Sequence, residues 1–229
     1  MKPTVAIAGA TGFIGRWFIE HYSHKYRIIA LSRREMDSSL RESVEWRKVD
    51  MYSVSSTIKA LEGADYALYL VHSMQPSARL NQGSFEDTDL LLADNFARAA
   101  ETVGVKQIIF VGGILPKDES DYSTHLRSRY EVEKTLGDRT PELTALRAGI
   151  IVGPGGSSFQ IVEKLVQRLP AMLCPEWTKS ETQPIALRDV LTIIDFCLGN
   201  SKAYGEAIEI GGSEKTTYMD MLKKTAEIL

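Results

Sequence analysis

A doubly wound α/β fold built on a parallel sheet is what this 229-residue chain predicts. Three observations carry that prediction. Short apolar runs alternate with amphipathic runs nearly to the end of the chain. Several of those short runs are apolar throughout, as parallel strands covered by helices on both faces must be. A glycine triplet, Gly9, Gly12 and Gly15, stands at the first passage from strand to helix.

Taken in order, strands are expected over Thr4–Ala8, Arg27–Leu31, Val44–Lys48, Tyr66–Val71, Gln107–Val111 and Leu143–Ala148. Phe13, Ile14, Trp17, Phe18 and His21 recur at helical spacing after the first. The clearest helix runs from Phe85 to Val103, with Phe85, Leu91, Leu92, Phe96, Ala99 and Ala100 forming a broad apolar face. Ser84 and Asp87 are spaced as a capping box, and Gly104 stops the helix. After Gly153-Pro154-Gly155-Gly156 the rhythm loosens. A helix near Phe159–Arg168 leads into a Pro-rich passage, Leu169 to Pro184. An extended piece at Pro184–Ala186, a helix from Arg188, an apolar run Ala207–Ile210 and a helix Tyr218–Ile228 follow. Open parallel sheets bind ligands beyond the carboxyl ends of their strands. Residues 1–229 therefore read as one domain, with residues 154–229 contributing a small substrate lobe or lid.

Composition narrows the function classes. A hydrophobic content of 44% and a charged content of 25% are those of a globular protein. A net charge of −3 gives no footprint for nucleic acid. No apolar run approaches the ~20 residues of a membrane helix, and no basic-then-apolar leader precedes Thr4. Cys174 and Cys197 lack metal or redox spacing, and Cys197 sits in an apolar run as a core residue. A cytoplasmic protein with a small-molecule partner is the expectation, with no nucleic acid, membrane or metal.

The glycine turn says what that molecule includes. Gly9-Ala10-Thr11-Gly12-Phe13-Ile14-Gly15 joins an apolar strand to a helix. The first turn of a helix offers unpaired N–H groups and the positive end of the dipole, which suits a pyrophosphate. Gly9, Thr11, Gly12, Phe13, Ile14 and Gly15 are thus expected to hold a dinucleotide. The second strand of such folds usually ends in an acid that binds the ribose 2′-hydroxyl of NAD. Here it ends in Ser32-Arg33-Arg34. Guanidinium groups bind phosphate by charge-assisted forks, so NADP is expected, with NAD as the alternative. Asp50, after the third strand, either accepts from the adenine amino group or caps the next turn. His72, after the fourth strand, is expected either with Ser73 at the nicotinamide ribose or as a loop histidine bonded to backbone.

Tyr130 and Lys134 are four residues apart and share one helical face. A cation beside a phenol favours the phenolate, so Tyr130 can exchange a proton with a carbonyl or alcohol. Arg127 lies on the same face, either as a holder of an anionic substrate or as a surface residue.

With these residues the chain resembles the short-chain dehydrogenase/reductase superfamily, in its extended or atypical NAD(P)-binding branch. Gly9, Gly12 and Gly15 are similar to its cofactor loop, Tyr130 and Lys134 to its catalytic pair, and Leu146-Arg147 through Gly155 to its segment after strand six. Val71-His72-Ser73-Met74, Asn95 to Ala100 and His125-Leu126-Arg127-Ser128-Arg129 look like an NmrA-like group, related to NAD-dependent epimerase/dehydratase-like proteins. The resemblance implies a Rossmann-type fold. It also implies NADPH-dependent reduction of a small carbonyl, with Tyr130 protonating the oxygen and Lys134 tuning Tyr130 and touching the nicotinamide ribose. Gly113 stands where the family carries its catalytic Ser, and Ser120, Ser123 or Thr124 would have to substitute. The alternatives are an NADP-sensing regulatory protein with a protein partner and no turnover, and a nucleotide-sugar epimerase. His125, Asp121 and Asp118 lack the spacing of a metal site.

Overall fold

The computed structural model describes residues 2–36, 43–72, 85–139, 141–156 and 176–228, with positions 164, 166 and 167 between the last two. Seven parallel strands form the central sheet: β1 (Thr4–Ala8), β2 (Arg27–Ser32), β3 (Val44–Lys48), β4 (Tyr66–Tyr69), β5 (Gln107–Gly113), β6 (Glu142–Ala148) and β10 (Ala207–Ile210). Their order is β10-β6-β5-β4-β1-β2-β3. The expected six strands are all present, and the apolar run Ala207–Ile210 adds the seventh by pairing parallel with β6. The strand order reverses beside β1, which pairs with β2 on one side and β4 on the other. Helices leaving β1 and β4 turn to opposite sides there, and a crevice opens beyond the two carboxyl ends.

The inner strands are largely apolar because they serve two cores. Val5 and Ile7 of β1 face a layer with α1 (Phe13–Tyr22) and α5 (Leu187–Cys197), where Phe18, Ile19, Val190, Leu191 and Ile194 are buried. Ala6 and Ala8 face the opposite layer, formed by α2 (Val54–Leu61), α3 (Phe85–Val103) and α4 (Thr124–Gly137). There Leu61, Phe96, Val132 and Leu136 are fully buried. Each such side chain contributes roughly 1.5–3 kcal/mol of transfer free energy. Gly104 ends α3 at φ +76°, a left-handed conformation that a side chain would resist. Ser84, the expected cap of α3, and the expected helix start at Phe159 lie outside the described residues.

The C-terminal third is more than a lid. Its strand β10 extends the sheet and its helix α5 fills the first core layer. Buried Gln107 ties it down: Nε2 donates to Thr144 Oγ1 (2.8 Å) and to the Cys197 carbonyl (3.0 Å), and Oε1 accepts from Gly199 N–H (2.9 Å). Every polar atom of that amide side chain is thereby occupied, as burial demands. Cys197 is a buried free thiol. Short pieces β7 (Ile151–Val152), β8 (Glu181–Thr182), β9 (Ile185–Ala186) and β11 (Thr216–Thr217) form two small two-stranded ladders, and α6 (Tyr218–Ile228) follows β11. Among the described residues no helix is long and apolar enough to cross a membrane.

Candidate functional site

Beyond β1 the chain turns at Gly9, whose φ of +89° suits a residue without a side chain. Gly12 N–H donates to the Gly9 carbonyl (2.9 Å), and Gly12 caps α1 without a side-chain bond. No acid stands in the first turn of α1. The turn is built to exclude carbon. A Cβ on Gly9 would lie 2.8 Å from the Leu70 carbonyl oxygen. One on Gly15 would collide with the Gly9 oxygen and lie 2.8 Å from Ala10 Cα. This cradle fits the close backbone approach that a dinucleotide pyrophosphate needs. Gly9, Gly12, Phe13, Ile14 and Gly15 line one end of a cleft of about 710 Å³. Thr11 is exposed in the same turn.

At the end of β2, Ser32 is buried and its Oγ accepts from Arg34 N–H (3.1 Å). That bond shapes the turn and leaves Arg33 and Arg34 exposed at the strand end. Glu35, just beyond them, pairs with Lys48 (3.3 Å). Asp50 Oδ1 accepts from Tyr52 N–H (3.2 Å), which is a turn-capping geometry. Asn95 of α3 donates to the carbonyls of Met51 and Tyr52 and braces the same loop.

The cleft runs on past the ends of β4, β5 and β6 to Glu181, Thr182, Gln183 and Tyr218. The α4 residues that line it are His125, Leu126 and Arg129. Tyr130 and Lys134 do not. One residue along a helix is a rotation of about 100°, enough to turn a side chain off a face. Tyr130 meets the Tyr122 ring edge-on (5.7 Å between centroids), and Lys134 Nζ lies 5.7 Å from the Tyr130 ring centroid. Tyr130 and Lys134, expected at the cofactor, are assembled with each other but are not among the residues that line this cleft. His125 and Arg129 have the same four-residue spacing and lie inside it.

Arg129 is buried and fully committed. Its guanidinium lies 4.6 Å from the Phe110 ring centroid and donates to the Val71 carbonyl (3.2 Å) and the Val111 carbonyl (3.0 Å). It thereby clamps the chain just beyond β4 to the carboxyl end of β5. Asp89 of α3, also buried, pairs with Arg129 (3.8 Å) and with His72 Nδ1 (3.1 Å). The His72 and His125 rings meet at 5.0 Å between centroids. His125 titrates below the ordinary histidine value: partial withdrawal from water is the main cause, and the neighbouring His72 and Arg129 add to it. Beneath them the Tyr69 phenol is buried, and burial pushes its pKa far up, so it stays protonated.

The remaining expectations resolve individually. Gly113 lines the cleft, and a side chain there would meet Leu126 Cδ2 at 2.7 Å, so leucine occupies the space a serine would use. Ser120, Ser123 and Thr124 are exposed, and none lines the cleft. Ser123 caps α4 by accepting from Leu126 N–H (3.2 Å), which engages the proposed substrate hydroxyl structurally. Arg127 donates to the Glu119 carbonyl (3.0 Å) and braces the loop before α4. His72 lines the cleft as expected, while Ser73 lies outside the described residues. In the sequence, His125 and Arg129 stand out only as part of a family-like motif, and neither Asp89 nor the wall at Glu181–Gln183 is singled out. The His-x-x-x-Arg spacing was visible, but only the rotation of α4 distinguishes it from Tyr-x-x-x-Lys one residue pair along.

A family described as NAD(P)H-binding matches residues 9–162. Auxiliary protein GraX of Staphylococcus aureus is 33% identical over 115 residues, covering 49% of this chain and 37% of that protein. The match thus spans little more than a third of that relative's length. Among solved structures, MoeE5 in complex with UDP-glucose and NAD superposes with a TM-score of 0.76 at 17% identity, covering 99% of this chain and 81% of that one. The enzyme WbmG of Bordetella bronchiseptica in complex with NAD gives 0.79 at 14% identity, covering 100% and 78%. UDP-N-acetylglucosamine 4-epimerase of Bacillus cereus gives 0.75 at 15% identity, covering 99% and 81%. At such identities these likenesses establish the shared Rossmann-type fold.

Proposed function

The chain belongs to the NAD(P)H-binding family, and we propose that it is an NADP-dependent oxidoreductase that interconverts a small alcohol and its carbonyl, with His125 exchanging the proton. The observation that carries this reading is the presence of His125 and Arg129 in the cleft, at the spacing expected for a catalytic pair. The glycine turn and the first turn of α1 would hold the pyrophosphate, and Arg33 and Arg34 the 2′-phosphate. A bound nicotinamide supplies or accepts the hydride.

The chain's own residues handle the proton. Neutral His125 takes it from the alcohol hydroxyl, and protonated His125 returns it to the carbonyl oxygen. Because its pKa lies below the ordinary 6.5, His125 is neutral at pH 7 and serves first as a base. Oxidation rises with pH through that lowered pKa and is flat by neutrality, while reduction falls over the same range. Arg129 keeps the ends of β4 and β5 at fixed spacing and disfavours a second positive charge beside it. Among the described residues lining the cleft, Arg129 is the one Arg or Lys, and its guanidinium is bound to two carbonyls and Asp89.

The test is NADP+ reduction across a panel of alcohols and NADPH oxidation across aldehydes, ketones and quinones. His125→Asn lowers turnover by about 10²–10⁴. Undiminished turnover in that variant removes His125 from the mechanism.

A second reading is a nucleotide-responsive accessory protein that binds NADP(H) and a protein partner without turnover. The likeness to an auxiliary protein favours it, as does the absence of a serine at Gly113. Tight NADPH binding, no turnover and a partner captured only in one cofactor redox state would select it.

A further inference from the structure

We propose that His72, positioned by Asp89, is the proton outlet of His125, so that the proton leaves the substrate through two imidazoles in series. The proposal rests on the reading of His125 as the group that takes the alcohol proton. Three elements build the arrangement: the segment after β4 carries His72, α3 carries Asp89 and α4 carries His125 and Arg129. Asp89 is 4% exposed, so its carboxylate needs partners inside the fold. It has the Arg129 guanidinium and His72 Nδ1. A carboxylate at Nδ1 holds the Nδ1–H tautomer and leaves Nε2 of His72 as the nitrogen that can receive a proton. His72 touches the His125 ring on one side, and a third of its side chain meets solvent.

The step balances. A bound oxidised nicotinamide would take the hydride from the alcohol carbon, and the hydroxyl gives its proton to His125. The rings meet edge-on, so a bridging water would carry the proton on to Nε2 of His72, where the Asp89 carboxylate offsets the new charge, and from there to solvent. Asp89 hydrogen-bonds His72 and not His125, and on His125 its field is outweighed by that of the Arg129 cation. The other titratable groups on this space are the buried Tyr69 phenol from β4, Glu181 of β8 and Tyr218 of α6, the last two lining the cleft. A purely structural role, in which His72 only fastens the end of β4 to α3, predicts no coupling between the two rings.

The test begins without cofactor. The chain has four histidines, and ¹⁵N NMR titration of the full chain, assigned with His72→Gln and His125→Gln, reads each one. His72 is expected as the Nδ1–H tautomer, and His72→Gln is expected to move the His125 titration upward, because one neighbouring charge is gone. A His125 titration unmoved by His72→Gln overturns the proposal. In turnover, His72→Gln and Asp89→Asn are expected to lower kcat for oxidation about tenfold with KM within about twofold, and added imidazole to restore the His72→Gln rate. His72→Gln, at the exposed end, remains usable if the buried Asp89 variant fails to fold. Turnover that needs His125 but ignores His72 overturns this proposal alone. Absence of turnover in the unaltered protein overturns the oxidoreductase reading and this proposal with it.

Discussion

The two ends of the cleft are made differently. The dinucleotide end is built from backbone: Gly9, Gly12 and Gly15 work by what they lack, and the helix supplies N–H groups. The chemical end is built from side chains brought from three elements far apart in sequence, His72, Asp89, His125 and Arg129. A backbone site tolerates no added atoms but is indifferent to the chemistry of its neighbours. A side-chain site depends on the rotation of every helix that feeds it. The first kind is recorded in contiguous spacing, the second only in the packed fold.

The comparison can be tested from both ends. The largest effect is expected at the chemical end, where His125→Asn lowers turnover by about 10²–10⁴. The pH profile checks the same group: the rise of oxidation with pH by the unaltered protein is centred below the ordinary histidine value, since the pKa of His125 is lowered. Next come the guanidiniums beyond β2. Arg33→Ala with Arg34→Ala removes charged hydrogen bonds worth about 1.5–3 kcal/mol each, so the Kd ratio of NADP over NAD shifts by at least about tenfold in calorimetry. Then the cradle: Gly15→Ala overpacks the first turn and costs about 1–3 kcal/mol, a Tm loss of several degrees. NADPH affinity falls with it, because the Gly9 carbonyl must move. The smallest effect is expected from Tyr130→Phe. Its ring stands outside the cleft against Tyr122, so turnover stays within about twofold. A large loss in that variant would return the Tyr130–Lys134 pair to the mechanism.

Much of the fold was legible. Six strands were readable, several of them as apolar runs because both faces of a parallel sheet are covered, and their boundaries agree within one or two residues. The seventh, Ala207–Ile210, has only four residues, alternates Glu209 into its pattern and could be joined to the sheet only by the register with Ala145–Ala148. The C-terminal lobe was hardest to read. Its docking depends on Gln107, a single buried amide that reaches across more than ninety positions to Gly199, and such a bond leaves no periodic trace.

The local features of the site were written in the chain itself. The glycine spacing, the basic end of the second strand and the helix after the fifth strand all follow from steric exclusion, charge and the 3.6-residue turn. Tertiary packing alone decided which face of α4 meets the cleft. Val132 and Leu136 had to be buried against the sheet, and with that rotation settled, His125 and Arg129 turn inward and Tyr130 turns away. Sequence spacing is the same for both pairs, and it is the apolar contacts one and two turns further along the helix that choose between them.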